Sequence, residues 1–128
     1  LDYRIVVATS NGTPRGFLVW RPAPAGAAET RAVIADFLVA KDDARTLQEM
    51  VACVLIDADD AGIDAVATIT TQPFAVAALK PLGFVAGGSH NAWVIAHWKQ
   101  TLPANALDPT QWHMCMGDSD GDIWTGAM

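Results

Sequence analysis

Cysteine is scarce in this chain, with two in 128 residues, Cys53 and Cys115. They form no C-x-x-C pair, and Cys53 falls among apolar residues in a helical pattern. Two buried thiols are therefore expected rather than a disulfide, which suits a reducing compartment. Basic charge is scarce too: eight Lys and Arg stand singly from Arg4 to Lys99 against fourteen acidic residues, giving a net charge of −6. Phosphate backbones and anionic membrane surfaces are bound by clustered cations, so neither nucleic acid nor membrane is an expected partner. No apolar run approaches the ~20 residues that cross a bilayer, and no basic-then-apolar leader is present, which points to the cytoplasm. The chain opens on Leu1 rather than Met, so a trimmed or incomplete reading frame is expected.

What is present is apolar. Hydrophobic residues make up 52% and charged ones only 17%, which excludes a disordered chain, and the length suits one domain spanning 1–128. Tyr3–Thr9 and Arg15–Arg21 are β-branched or aromatic runs on either side of "SNGTP", where Asn11-Gly12 supplies the positive φ of a tight hairpin. "PAPAGAAE", residues 22–29, reads as a loop. Arg31–Ala40 is a third strand whose "VIADFLV" is nearly continuous apolar apart from Asp36, which suggests a central strand covered on both faces.

From Asp43 to Ala61, residues Leu47, Met50, Val51, Val54, Leu55 and Ala58 recur at helical spacing, and Gly62 ends the run. "DAVATITT", 64–71, reads as a strand, and "PFAVAALKPLGF", 73–84, as a helix with Pro in its first turn and Gly83 at its end. Ala92–Trp98 is a further strand, 99–111 a loop, and "WHMCM" an optional last strand before an acidic Gly/Asp-rich tail, so that 99–128 forms a C-terminal extension. The predicted class is α+β, a helix-on-sheet sandwich with a mixed, mostly antiparallel sheet in the order β-β-β-α-β-α-β(-β).

That order resembles the C-terminal two-thirds of the GCN5-related N-acetyltransferase (GNAT) family. The specific match is "QPFAVAALKPLGF", which is similar to the family's Asn-x-x-Ala-x-x-x-Tyr-x-x-x-Gly-Phe helix, with Gln72 at the Asn position, Ala75 at the Ala, and Gly83-Phe84 at the end. The resemblance covers residues 3–98, and the family's first strand and two following helices have no counterpart in it. It implies acyl transfer from CoA to an amine, with acetyl-CoA in an opening between two splayed strands. The pyrophosphate would sit on a Gly-rich loop at the N-terminus of the next helix, a ready anion site. On this chain the resemblance places the cofactor-binding positions at Val39, Ala40, Lys41 and Arg45.

The stretch "AKDDARTL" nevertheless has no glycine and is shorter than the family pattern by about one turn. Asp42 or Asp43 is placed to cap the helix, so a carboxylate would take the donors a phosphate needs. The family's Tyr position, which often protonates the leaving thiolate, falls on Leu79. No catalytic residue is therefore assigned, and the resemblance implies a degenerate acyltransferase-like domain with acetyl-CoA as its only candidate cofactor. Two alternatives stand beside it: a non-catalytic binding or dimerisation module, whose partner covers the sheet face that the missing elements would leave bare, and a fragment of a longer enzyme.

Other patterns carry less. "GDSDGD", 117–122, alternates carboxylates but lacks the spacing of an EF-hand loop. With its preceding Trp it is similar to the ending of a poorly characterised group of acetyltransferase-fold domains, some associated with polysaccharide biosynthesis. His90, His97 and His113 show no metal-ligand spacing and are read as structural, with no metal site expected. A Cys115–His113 dyad is disfavoured because i, i+2 residues on a strand merely share a side. Trp20, Trp93 and Trp98 are assigned to the core, and Trp112 and Trp124 flank the tail.

Overall fold

Asn11 and Gly12 both hold positive φ, 50° and 76°, which matches the twist of a two-residue hairpin. The turn joins β1 (Arg4–Ser10) to β2 (Thr13–Arg21), paired antiparallel from Arg4 opposite Trp20 to Ser10 opposite Thr13. The computed structural model describes residues 2–22 and 30–87, together with 104, 105, 108, 110, 113 and 115. The strand expected at Ala92–Trp98 and the Gly/Asp-rich tail lie outside the described residues, as do His90, His97, Trp93, Trp98, Trp112 and Trp124.

β3 (Arg31–Val39) pairs antiparallel with β2 and parallel with β4 (Ala65–Thr68), so the sheet order is β1-β2-β3-β4 and β3 is central. A bulge breaks the β2–β3 ladder, with Trp20 opposite Ile34 but Val19 opposite Asp36, and Ala35 is the extra residue. Its effect is to reset which side chains face inward. Ala32 and Ile34 enter the core before it and Phe37 enters after it, which turns Asp36 and Leu38 to the other face. The expectation of cover on both faces is thus corrected: Val33 and Ala35 are buried, but Leu38 is 54% exposed.

The helix α1 (Ala44–Asp60) forms where the apolar stripe predicts it, burying Leu47, Met50, Val51, Val54 and Ala58. Cys53 is exposed, against the expectation of a buried thiol. It precedes Val54 on the helix and so points about 100° away from that residue, off the stripe. α2 (Pro73–Leu79) carries Pro in its first turn and runs into a 3-10 turn at Lys80–Leu82 that stops at Gly83, φ 94°. Gln48 Nε2 donates to the Ala78 carbonyl at 3.0 Å, tying the two helices together.

One core joins the helices to one sheet face: Leu18, Trp20, Ile34 and Phe37 meet Leu47, Met50, Val51 and Val54 from α1 and Ala75, Ala78 and Leu79 from α2. Burying each large apolar side chain of this kind contributes about 1.5–3 kcal/mol. The other face differs. Ile5, Val19 and Asp36 lie in one cross-strand row and Val7, Phe17 and Leu38 in the next, and Ile5 and Val7 are 67% and 55% exposed.

Candidate functional site

Two features meet toward the C-terminal end of β3: the turn into α1 and the end of its pairing with β4. Val39 ends the strand, and Asp42 holds a left-handed φ of 58° in the turn. Asp43 is the N-cap. Its backbone N–H donates to the Ala40 carbonyl at 3.0 Å, and the Ala44 N–H donates to the Asp42 carbonyl at 2.8 Å. Its carboxylate accepts the Thr46 N–H at 3.1 Å and the Thr46 hydroxyl at 2.7 Å. Arg15 adds an ion pair at 3.4 Å.

These contacts lower the Asp43 pKa below its ordinary 3.8, the Thr46 hydroxyl and N–H first and Arg15 after them. The helix N-terminus therefore already holds a fixed negative charge of its own. A cleft of about 350 Å³ opens beside it, bordered by Ser10, Arg15, Asp43, Arg45 and Glu49. Arg45 donates from Nε to Glu49 Oε1 at 3.0 Å, one helical turn on. Among the sequence-predicted cofactor positions, Val39, Ala40, Lys41 and Arg45 do sit together at this turn. Two of them are already engaged within the chain, Ala40 through its carbonyl and Arg45 through its guanidinium.

Strand 64–71 proves shorter than expected, because the parallel ladder stops at Ile34 opposite Thr68. Beyond that rung β3 and β4 are not paired, and Cys115 and His113 contact one segment each. Thr70 makes an antiparallel bridge to Cys115, while His113 Nε2 lies 2.8 Å from the Phe37 carbonyl. A carbonyl only accepts, so Nε2 carries the proton in this arrangement. The His113 ring meets the Phe37 ring edge-on at 5.1 Å.

His113 Nε2 also lies 3.5 Å from Cys115 Sγ and 3.7 Å from Asp36 Oδ1. This corrects the expectation that His113 and Cys115 merely share a side. Cys115 is in the bridge to Thr70 but His113 lies in no ladder, so strand alternation does not govern the pair. Nothing in the sequence pairs these two with Asp36. A second cavity of about 250 Å³ lies between the end of β4 and α2, lined by Thr68, Thr70, Val76, Leu79 and Phe84. Leu79, at the position where the resemblance has a phenol, is buried in the core.

No family model matches the sequence, and no curated protein does. Solved structures do. TTHA1254 from Thermus thermophilus superposes with a TM-score of 0.60 at 22% identity, over 74% of this chain and 72% of that one. The fold is GNAT-like, as the solved acetyltransferases that also match show. An aminoglycoside acetyltransferase, meta-AAC0020 from an uncultured soil metagenomic sample, matches with a TM-score of 0.54 at 15% identity over 79% of this chain and 66% of its own. The ribosomal-protein-alanine N-acetyltransferase of Brucella melitensis biovar Abortus 2308 follows at 0.52 and 13%, over 74% and 71%. At these identities the likeness is one of fold, and the GNAT-like resemblance read from "QPFAVAALKPLGF" agrees with it.

Proposed function

We propose that this acyltransferase-fold domain works by binding a protein partner rather than by transferring an acyl group. The observation that carries the reading is the Asp43 carboxylate at the N-terminus of α1, accepting the Thr46 N–H and hydroxyl, where the fold would hold the pyrophosphate of CoA. An ionised carboxylate there takes one of the backbone donors and repels a second anion. Arg15 and Arg45 beside the turn are each matched to a carboxylate, Asp43 and Glu49, while Lys41 lies in the turn itself.

The contact surface on this reading is the open sheet face. Ile5, Val7 and Leu38 are exposed there beside the half-buried Phe17 and Val19, a contiguous apolar area of the kind that associates. A second copy satisfies it most simply, since a two-fold axis covers each face with the other. Light scattering over a range of concentrations tests this. The expected molar mass rises from one chain toward two, and Ile5→Asp with Leu38→Asp holds it at one. A mass that stays at one chain for the unmodified protein rejects self-association.

One observation favours a catalytic reading: the β3–β4 ladder ends at Ile34 opposite Thr68, and an acetyl-CoA arm would require unpaired strands there. On that reading Val39, Ala40, Lys41 and Arg45 flank the donor, and Arg45→Glu abolishes acetyl-CoA binding. An affinity left unchanged by that substitution removes these residues from the site.

A further inference from the structure

We propose that Asp36, His113 and Cys115 form a binding site for a thiophilic divalent cation of the zinc type. One donor atom from each residue lies within 4.8 Å of the others. The separations are 3.5 Å from Cys115 Sγ to His113 Nε2 and 3.7 Å from that nitrogen to Asp36 Oδ1. A tetrahedral ion with bonds of about 2.3 Å to sulfur and 2.0–2.2 Å to nitrogen and oxygen needs its donors about 3.4–3.6 Å apart. Two of the three separations thus stand close to the required spacing before any ion arrives, and the third is within 4.8 Å.

The donor set selects the metal. A thiol, an imidazole and a single carboxylate suit zinc, whereas calcium and magnesium call for several oxygens. Burial is graded in the same sense. Cys115 is 1% exposed, while His113 and Asp36 each keep part of their side chains open to solvent, leaving a path of approach. The Phe37 carbonyl, 2.8 Å from Nε2, is a further oxygen beside the three.

Binding balances in protons. His113 stays neutral as its proton moves from Nε2 to Nδ1, which frees the Nε2 lone pair. Cys115 loses one proton to solvent, and the thiolate and the Asp36 carboxylate together offset the two positive charges of the ion. The hydrogen bond from Nε2 to Phe37 is exchanged for a metal bond. One proton is released per ion, so affinity rises with pH. The bound ion would clip the C-terminal segment to β3 across the gap beside β4, linking residues 77 and 79 positions apart in the chain.

Cobalt(II) added to the reduced, metal-free full chain is the test, because a cobalt–thiolate bond gives a charge-transfer absorption that oxygen and nitrogen ligands alone do not. The expected result is a saturable band at one ion per chain, displaced by zinc. Cys53→Ser retains the band and Cys115→Ser loses it. His113→Gln, a change at a partly exposed side chain, weakens binding by more than the about 10–100-fold that losing an outer partner costs. Absence of the band in the unmodified chain overturns the proposal, as does a band that survives Cys115→Ser or disappears with Cys53→Ser.

Discussion

Asp43 decides the chemistry of the turn at the scale of a single residue. Its carboxylate is held below its ordinary pKa by Thr46 and Arg15, so its contribution to stability is complete above the unfolded value of 3.8 and is lost as pH falls through the lower folded value. Asp64 follows the same rule, with the Thr30 hydroxyl donating to it at 2.6 Å and the Thr30 N–H adding a second contact. Asp43→Asn keeps a capping oxygen but no charge. Chemical denaturation should find it less stable than the unmodified chain near neutral pH, with the difference shrinking as pH drops below 3.8; a difference that is constant with pH contradicts the assignment. The capping role was legible from sequence as Asp42 or Asp43, and the structure selects Asp43 because Asp42 takes the left-handed turn position. The contact of His113 with Asp36 was not legible. It joins residues 77 positions apart, a long-range contact that no local pattern encodes.

At the scale of elements, β2 and β3 approach so closely at Gly16 that a side chain has no room. A Cβ there would lie 2.7 Å from the Leu38 carbonyl oxygen and 2.9 Å from Val39 Cγ1. Gly16→Ala should therefore destabilise the fold by about 1–3 kcal/mol, as overpacking does. Leu47→Ala, at a fully buried position of α1, should cost about 2–5 kcal/mol through the cavity it leaves. Denaturant titration reads both, and a change below about 0.5 kcal/mol, the range of an ordinary surface substitution, contradicts the packing described. The elements with strong local signals were legible: the Asn11-Gly12 hairpin, the stripe of α1, and Pro73 and Gly83 bounding the second helical segment. The bulge at Ala35 was not, because an apolar run reads the same whether or not one residue is left unpaired. The early end of β4 was hidden in the same way, since Ile69, Thr70 and Thr71 have strand-like composition but do not pair with β3.

At the scale of the whole molecule, the described residues have a GNAT-like fold, with a β3–β4 ladder that ends at Ile34 opposite Thr68 and the Asp43 carboxylate capping α1. No helix among the described residues is long and apolar enough to cross a membrane. Strand and helix order was legible because hairpin, crossover helix and the Leu-Gly-Phe ending each have a local cause, whereas the role of the fold depends on a few N–H groups at one helix end. Thermal unfolding of the full chain with and without millimolar acetyl-CoA examines those groups directly. A ligand at 100 times its dissociation constant adds ~2.7 kcal/mol to stability, which moves the midpoint by roughly 5 °C or more in a domain of this size. The account predicts no shift, because on the proposed reading the Asp43 carboxylate opposes an anion at the N-terminus of α1. A saturable rise of that size, lost in Arg45→Glu, would contradict it and restore the acyltransferase reading.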